Sequence, residues 1–440
     1  MPAFRPAPSS ILRAFQNSKK KHLLITGSRG IGKTTLLNSL LPLLFPLLLS
    51  GNSDDSNDPN NSNDFNASNA EAYLKIPGFS THAIPKTRVE IQDRITGKTG
   101  IIGTFSADLA SRSEIPSGCR MQPCPDGFLE VGIPAIQRAI LTSTEEAPWA
   151  VIDEIGCLET SCEPFLKALV TLFDTRPVIA VIRKQSLPFL DELKHRPDVF
   201  VIDLDEPVLP IGCVIMASGL GRRFGSDKLM ASFQGKPLIA QILRATSSAL
   251  FADRIVVTRS KAVQTFCETT GIPVLFHEFP NRNDTVRLGL TALLQSHPEL
   301  KGCLFALGDQ PLLSRETLET MAIAFSQNLV SRSCENEKAI SSKKGQGIFR
   351  LCFEEPSDVT DPKPSVTVGS PVLFSDFFFE ELLALPAGKG GSFLIRNYPE
   401  DVHLIPALSP YELMDVDTPE NLNFLLDHAD PDPSSSHSEK

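Results

Sequence analysis

The sequence predicts an α/β protein built from two three-layer α/β/α domains. A chain of 440 residues exceeds what a single hydrophobic core usually supports. Short apolar strands alternate with helix-like segments in both halves, which indicates βαβ units around mostly parallel sheets. A glycine-rich loop follows the first strand of each half, at residues 27–34 and 217–225. Two unrelated loops of this kind imply two different uses of a nucleotide.

Composition shifts divide the chain into segments. The predicted segments are a flexible N-terminus (1–18), a first domain (19–206) with a low-complexity insertion (50–70), a second domain (210–428) with an irregular insertion (331–365), and a disordered tail (429–440). The first insertion is Asn, Ser and Asp with almost no apolar content, so it cannot bury enough surface to fold. The second is charged and rich in Ser and Pro, and it is expected to leave the sheet.

The net charge and the cysteine pattern limit which partners and which cellular compartment the sequence predicts. A net charge of −10 argues against a broad nucleic-acid surface. The nine cysteines are scattered without a C-x-x-C pair, which favours reduced thiols in the cytoplasm over the alternative of a structural zinc site. The apolar run at 40–49 holds two prolines and falls short of the roughly 20 residues of a membrane span. It predicts the buried end of a helix, broken by proline, and no membrane contact.

The first loop reads G-S-R-G-I-G-K-T, after an apolar strand at 22–26 and before a helical run. Glycines let backbone N–H groups converge on phosphates, Lys33 would reach the β- and γ-phosphates, and the Thr34 hydroxyl would bind Mg²⁺. The helix N-terminus adds partial positive charge. The predicted nucleotide-binding residues are Gly27, Ser28, Arg29, Gly30, Ile31, Gly32, Lys33, Thr34 and Thr35, and Lys33 is also predicted to be catalytic.

Two carboxylates follow the apolar strand at 149–152. Asp153 stands where the second Mg²⁺-binding carboxylate of a P-loop enzyme is expected. Its neighbour Glu154 could orient or deprotonate an attacking water and is predicted to be catalytic. The alternative is a pair of solvent-facing carboxylates, and the upstream loop favours the functional interpretation.

These motifs carry a family resemblance. Residues 25–35 and the run D-E-I-G-C-L-E at 153–159 resemble the small P-loop nucleoside-triphosphatase family of archaea and bacteria. A hairpin at 78–103 and a strand at 178–182 also fit, so the resemblance covers roughly residues 20–206. It implies slow, Mg²⁺-dependent hydrolysis of ATP, GTP and other triphosphates to diphosphates. The insertion at 50–70 departs from the family.

The second loop reads A-S-G-L-G-R-R-F-G and is followed by Lys228. Its glycines would let the backbone wrap around a triphosphate, while Arg223 and Lys228 would neutralise charge on a leaving pyrophosphate and are predicted to be catalytic. Asp309 follows an apolar strand and is placed to bind Mg²⁺. Asp417, beside a predicted helix start, offers a second Mg²⁺ ligand, with a plain capping residue as the alternative. The predicted nucleotide-binding residues of this loop are Ala217, Ser218, Gly219, Leu220, Gly221, Arg223 and Lys228.

This half resembles the molybdenum-cofactor nucleotidyltransferases over roughly residues 210–427. The loop fits the nucleotidyltransferase pattern x-A-x-G-x-x-x-R-x-G-x-x-K, and stretches at 281–290, 369–374 and 388–391 fit the family. The resemblance implies a Rossmann-like fold of the nucleotide-diphospho-sugar-transferase type, a nucleotide contact at Asp284, and a molybdopterin-type acceptor. The start A-S-G is nearer the A-A-G of CTP-using members than the A-G-G of GTP-using ones. Ser218, Lys389 and the 331–365 segment depart from the pattern.

Three functional hypotheses follow. The leading one is a bifunctional enzyme that hydrolyses nucleoside triphosphates and transfers CMP from CTP to molybdopterin cofactor. A second keeps the transferase chemistry but replaces the acceptor with a sugar or polyol phosphate. A third makes the P-loop domain a nucleotide-gated assembly module that docks the transferase onto a molybdenum hydroxylase apoenzyme.

Overall fold

The computed structural model describes residues 4–44, 76–105, 121–145, 147–219, 223–247, 249–335, 347–355 and 365–429. The chain forms two compact units, residues 18–206 and residues 1–17 together with 207–440. Each unit contains a sheet and helices, which confirms the predicted α/β class. The predicted insertion at 50–70 and the tail beyond 429 lie outside the described residues.

The first unit is built on an eight-stranded sheet. Its strands are β1 (His22–Thr26), β2 (Gly78–Ile84), β3 (Arg88–Asp93), β4 (Thr99–Thr104), β5 (Gln122–Pro123), β6 (Ala150–Ile155), β7 (Val178–Ile182) and β8 (Val199–Asp203). The order is β5-β4-β3-β2-β6-β7-β1-β8, and β2, β6, β7, β1 and β8 pair in parallel. All of β1 is buried, as expected of a strand inside a parallel sheet.

Helices complete the core of this unit. They are α2 (Lys33–Leu44), α3 (Ile133–Leu141), α4 (Glu163–Thr175) and α5 (Pro188–Lys194), with a helical turn at Pro125–Gly127 and a π-helical segment at Phe128–Gly132 before α3. In α4 the apolar positions 165, 169, 172 and 173 repeat at helical spacing and bury one face. They join an apolar cluster with Phe79 and Ile152 of the sheet.

The second unit has a seven-stranded sheet and a small ribbon. Its strands are β9 (Ile211–Ala217), β10 (Ser232–Phe233), β11 (Lys236–Pro237), β12 (Asp253–Thr258), β13 (Val274–Phe276), β14 (Gly302–Leu307), β15 (Ile348–Glu354), β16 (Val366–Ser375) and β17 (Val402–Pro406). The sheet order is β13-β12-β9-β14-β16-β15-β17. The first four strands are parallel, and β16 is antiparallel to both β14 and β15.

Helices cover both faces of this sheet. They are α1 (Pro8–Asn17), α6 (Ile239–Ala245), α7 (Lys261–Thr269), α8 (Arg282–Ser296), α9 (Arg315–Glu335), α10 (Phe379–Leu383), α11 (Ser392–Asn397) and α12 (Pro419–Asp427). Alternate residues of β9 enter different cores: Ile215 packs in the cluster that includes Met321 of α9, and Val214 in the cluster that includes Leu290 of α8. A helix layer on each side of the sheet gives the three-layer arrangement.

The N-terminus differs from expectation, because most of it is a helix of the second unit. Helix α1 buries Ile11, Leu12 and Phe15. The backbone N–H of Ala7 donates to Glu319 Oε2 on α9 at 2.9 Å. Proline and serine at the start of this segment suit a helix N-terminus, which is why a composition that suggested flexibility is compatible with order. The chain therefore enters the first unit only after contributing a helix to the second.

Two further predictions about local structure were wrong. The segment 331–365 does not leave the sheet throughout, because 348–354 is β15, paired with β16 and β17. Its neighbours 336–346 and 356–364 lie outside the described residues. Helix α2 continues past Pro42 to Leu44, so the expected break does not occur at Pro42. The expected burial of the run is seen at Leu40 and Leu41, and Pro46 lies outside the described residues. A proline removes one i→i−4 hydrogen bond and crowds the preceding turn, which can distort a helix without ending it.

In the part of the chain that the structure describes, cysteines 124, 157, 162, 213, 267, 303 and 352 form no disulfide. Within the described ranges no three or more His, Cys, Asp or Glu side chains group as ligands of a metal ion. None of the described helices combines the length and apolar character needed to cross a membrane.

Candidate active sites

The first loop curls around its own lysine. Lys33 Nζ donates to the carbonyl oxygens of Gly27 and Ser28 at 3.1 and 3.2 Å. Gly27 has φ +147°, and a Cβ there would lie 2.9 Å from Ile31 Cγ2 and 3.3 Å from Leu204 Cβ. Only glycine permits this turn, because an L side chain would be strained as well as crowded. The loop thus presents a cation and the exposed start of α2 together, an arrangement suited to phosphate.

The other predicted residues of this loop also lie where β1 meets α2. Arg29, Gly30 and Thr35 are exposed, whereas Ile31 and Gly32 are half-buried. Thr35 stands in the first turn of α2. A ligand at the helix N-terminus would therefore meet backbone N–H groups rather than apolar side chains.

The structure brings together the two residues predicted to hold Mg²⁺ at this loop. Thr34 Oγ1 donates to Asp153 Oδ1 at 3.2 Å, across 119 residues of sequence. Burial raises the pKa of Asp153, and the Thr34 hydrogen bond and Arg94 oppose that shift. A half-buried carboxylate beside a hydroxyl is an oxygen donor set of the kind that Mg²⁺ accepts, and a dication would stabilise the ionised form. The residues present fit the ion.

Glu154 lies between two cations. Its Oε1 is 3.7 Å from Lys33 Nζ, and its Oε2 accepts from Arg183 Nε at 3.0 Å. The Glu154 side chain is 23% exposed, so water reaches it. A carboxylate at the lysine that is also open to water can orient a nucleophile beside a bound phosphate. Arg183 follows β7, and sequence reasoning missed it because nothing in its local sequence marks it.

A second contact missed from the sequence fixes the start of the loop. Asp205 accepts hydrogen bonds from the Ser28 backbone N–H at 2.8 Å and from the Ser28 hydroxyl at 2.7 Å. Lys184 Nζ lies 2.9 Å from both Asp203 and Asp205. The Ser28 bonds and Lys184 hold the pKa of Asp205 below its usual range. The loop is thereby tied to the end of β8.

Glu159, the last residue of the D-E-I-G-C-L-E run, supports the turn after β6. It is buried and accepts from the Gly156 backbone N–H at 2.7 Å. Burial raises its pKa to about 7, against the hydrogen bonds that it accepts and the Arg183 charge. Glu159 thus holds the segment that carries Asp153 and Glu154.

The second loop begins at the end of β9. Ala217 is buried and ends the strand, and Ser218 and Gly219 follow it. Leu220 and Gly221, both predicted to bind nucleotide, lie outside the described residues. Arg223 is the next described residue of this loop, and Lys228 begins a short 3-10 turn.

Lys228 is the centre of the second cluster. Its ammonium group contacts Asp309 Oδ2, lies 3.3 Å from Asp417 Oδ1, and donates to Val416 O at 2.9 Å. Arg223 Nη2 lies 2.8 Å from Asp417 Oδ2. Four residues predicted as catalytic or metal-binding therefore meet in space. The two carboxylates fit Mg²⁺, which proteins usually hold with one or two carboxylates together with substrate phosphates and water.

Asp415 adds a third carboxylate that the sequence reasoning did not assign. Burial raises its pKa to about 6, and Asp309 and Asp417 contribute in the same direction, against Lys228 and a hydrogen bond with Gln310. Gln310 also donates to Ser370 O at 3.3 Å and Leu413 O at 3.4 Å. The negative charge near Lys228 is therefore larger than the motif alone implies.

Asp284 is placed apart from the Lys228 contacts. It lies in the first turn of α8, where its carboxylate accepts from the Asn281 backbone N–H at 3.2 Å and lies 3.3 Å from Arg287 Nη2. The neighbouring Asn283 Oδ1 accepts from the Gly388 N–H at 3.0 Å, which joins the glycine-rich segment 388–391 to the same helix start. The observed role of Asp284 is capping, and its predicted nucleotide contact stays a prediction.

Two family models match the chain, one in each half. Residues 67–207 match the NTPase family, and residues 213–402 match the MobA-like NTP transferase domain. The chain resembles a fusion of these two families. The matches support nucleoside-triphosphatase and nucleotidyltransferase functions in one polypeptide.

Individual relatives each match about half of the chain. The nucleoside-triphosphatase THEP1 of Thermotoga maritima is 28% identical over 188 residues, covering 42% of this chain and 86% of that protein. A probable molybdenum cofactor guanylyltransferase of Thermococcus kodakarensis is 23% identical over 194 residues, covering 44% of this chain and 93% of that protein. Among solved structures, a nucleotidyl transferase from Methanothermobacter aligns over 50% of this chain and 97% of that chain, with 20% identity and a TM-score of 0.37.

Proposed function

We propose that the protein is a bifunctional enzyme. The first unit hydrolyses nucleoside triphosphates with Mg²⁺, and the second transfers CMP from CTP to a molybdopterin-type acceptor. The observation that carries this proposal is that each loop lysine meets the carboxylates that its own reaction would need. Lys33 lies beside Glu154, and Lys228 contacts Asp309 and Asp417.

In hydrolysis, water attacks the γ-phosphorus, the bond from that phosphorus to the oxygen bridging the β- and γ-phosphates breaks, and the nucleoside diphosphate and inorganic phosphate leave. Lys33 and Arg183 would balance charge that builds on the phosphate oxygens, and Glu154 would orient the water and take its proton. Thr34 and Asp153 would hold Mg²⁺, which supplies charge neutralisation at the β- and γ-phosphates when bound.

In transfer, a phosphate oxygen of the acceptor attacks the α-phosphorus of CTP, and the bond to the β-phosphate breaks to release pyrophosphate. Lys228 and Arg223 would neutralise the leaving group, while Asp309 and Asp417 would hold Mg²⁺. The carboxylates that now pair with Lys228 would turn to the metal and leave the ammonium free for phosphate.

The most specific parts of the proposal are the base of the nucleotide donor and the identity of the acceptor. The start A-S-G of the second loop supports CTP, whereas the Thermococcus kodakarensis relative is named a probable guanylyltransferase. That name supports a molybdenum-cofactor acceptor and makes GTP the competing donor.

The test uses the full-length chain carrying Lys33→Ala, so that hydrolysis does not obscure transfer. Pyrophosphate release is measured with Mg²⁺ and CTP or GTP, in the presence of molybdopterin or of sugar and polyol phosphates. We expect release with CTP and molybdopterin, and its loss in Asp309→Asn. Asp376→Asn, which alters an exposed carboxylate paired with Lys301, is the matched control. Release only with a sugar or polyol phosphate would overturn the molybdopterin assignment.

A further inference from the structure

Four parallel strands of the second unit end at one edge of the sheet. They lie in the order β13-β12-β9-β14 and are followed by His277, Arg259, Ser218 and, one residue later, Asp309. Open α/β sheets bind ligands at this edge. Asp309 and Lys228 mark the polyphosphate and metal end at β14. Strands are about 4.8 Å apart, so the positions after β12 and β13 lie roughly 10 to 15 Å away, where the base of a bound nucleotide would reach.

Arg259 occupies the backbone acceptors in this region. Its Nε and Nη2 donate to the Ser218 carbonyl at 2.9 and 2.7 Å. Its Nη1 donates to the carbonyls of Phe279 and Pro280, each at 3.4 Å. One guanidinium therefore links the start of the second loop to the segment that leads into α8, and uses carbonyl oxygens on both sides.

The Ser218 side chain also makes hydrogen bonds within the protein. Its hydroxyl donates to Val257 O at 3.1 Å and lies 2.9 Å from His277 Nε2. A hydroxyl has one proton, so when Ser218 donates to Val257 O, His277 Nε2 donates to the serine oxygen. His277 is 5% exposed. Burial and the charge of Arg259 lower the pKa of His277, which favours the neutral ring, whereas Asp284 acts in the opposite direction. Ser218 and His277 thus hold the carbonyl that Arg259 binds.

The chemistry of the bases makes this arrangement selective. On its Watson–Crick edge guanine presents two adjacent donors, N1–H and the N2 amino group, beside the acceptor O6. Cytosine presents two adjacent acceptors, O2 and N3, beside its N4 amino donor, and one N–H donor pairs with one of these acceptors. Arg259 has five N–H donors, and the contacts to Ser218, Phe279 and Pro280 leave at least one for a ligand. When the base enters with its Watson–Crick edge, the remaining N–H of Arg259 matches an acceptor of cytosine, whereas guanine N1–H and N2 meet carbonyls that arginine already binds.

We propose that Arg259, held in place by Ser218 and His277, is the specificity-determining residue of the second site and selects CTP over GTP. This inference rests on the proposed function, in that the second loop binds the nucleotide. It assigns to one side chain a preference that the loop motif only suggests.

The test measures nucleotide binding without an acceptor. Full-length protein carrying Lys33→Ala is titrated with the α,β-methylene analogues of CTP and GTP in the presence of Mg²⁺. We expect the CTP analogue to bind at least about tenfold more tightly, and Arg259→Met to reduce that ratio by about tenfold or more, since a lost hydrogen-bond match of this kind changes discrimination by that order. Arg396→Met, at an exposed arginine of α11, should leave the ratio unchanged.

Further variants keep the result decisive. Arg259→Lys retains the positive charge but not the forked geometry of the guanidinium, so it should also reduce the preference for the CTP analogue. It replaces Arg259→Met in the test if that variant fails to fold. Ser218→Gly keeps the carbonyl, removes the hydroxyl, and should give a smaller change in the same direction. A wild-type preference for the GTP analogue, or an unchanged ratio in folded Arg259→Met and Arg259→Lys, would overturn the inference.

The binding assay also separates this inference from the proposed function. If the CTP analogue binds selectively through Arg259 but no molybdopterin is converted, the acceptor assignment fails and the selectivity stands. If neither analogue binds to the Lys33→Ala protein, both the proposed transferase and the inference are wrong.

Discussion

The two loop lysines sit in opposite surroundings. Lys33 donates to carbonyls of its own loop and has one carboxylate, Glu154, at 3.7 Å. Lys228 is 7% exposed and meets two carboxylates, with Asp415 close by. The first lysine is held mainly by neutral carbonyls, with one carboxylate at a longer distance, whereas the second must exchange two anionic partners when a ligand arrives. A bound metal is therefore expected to matter more for assembling the second site than the first.

The largest expected difference comes from removing each lysine. Lys33→Ala should lower hydrolysis by about 10²- to 10³-fold, because one charge-stabilising group is lost, and should change the melting temperature little. Lys228→Ala should lower transfer by a similar factor and also lower the melting temperature of the second unit, since three carboxylates lose their shared cation. Calorimetry alongside both activity assays measures this. Equal decreases in melting temperature in Lys33→Ala and Lys228→Ala would contradict the proposed difference between the surroundings of the two lysines.

The role of Glu154 gives the next largest effect. Glu154→Gln keeps the shape but loses the proton acceptor, so kcat for hydrolysis should fall about 10²-fold with little change in KM. Pyrophosphate release at the second site should be unchanged. Glu163→Gln, which alters an exposed pair with Lys167, is the control. If Glu154→Gln raises KM and leaves kcat intact, the residue contributes to nucleotide binding instead.

Removing residues 1–17 should affect only the second unit. Helix α1 buries Ile11, Leu12 and Phe15, and burial of such side chains contributes roughly 1.5 to 3 kcal/mol each. We expect the calorimetric transition of the transferase unit to fall by several degrees while hydrolysis is retained. Ser10→Ala, which removes a hydroxyl that lies 3.1 Å from Glu319 Oε2 and 3.5 Å from Glu316 O but keeps the apolar face of α1, should give a smaller shift. A melting profile that does not change on truncation would show that α1 adds nothing to that unit.

The smallest effect is a pH dependence confined to the first unit. His22 is fully buried, and burial lowers its pKa to about 4 despite Asp198 nearby. Its Nδ1 accepts from the Val178 N–H at 3.2 Å, a bond that protonation would break. The unfolded chain takes up the proton near pH 6.5, so stability from the neutral ring should be lost as pH falls from 6.5 to 4. Denaturant midpoints across this window should vary less in His22→Gln.

Much of this structure could be predicted where a motif carries the information. The strand, loop and helix around Lys33 follow from a contiguous motif, and the motifs also placed Thr34 with Asp153, although the two are distant in sequence. Contacts made by residues outside a motif could not be predicted, such as Arg183 with Glu154 or Arg259 with Ser218. Each depends on which strands are neighbours, and residue spacing does not encode that order.

Composition misled in two places. Residues 8–17 were expected to be flexible because Pro and Ser are frequent there, yet Ile11 and Phe15 are spaced for one helix face. Residues 348–354 were grouped with charged flanks, although I-F-R-L-C-F-E contains the apolar residues of an inner strand. In both cases the average composition of a long segment concealed a short stretch whose apolar residues predict a regular element.

The helix that precedes the first unit has a consequence for how the protein is cut. Because α1 belongs to the second unit, the triphosphatase is an insertion attached at both of its ends. A protease nick at either junction leaves two fragments still associated through the buried face of α1. Single cleavage would therefore preserve one-to-one stoichiometry of the two activities, and only a second cut would allow them to part.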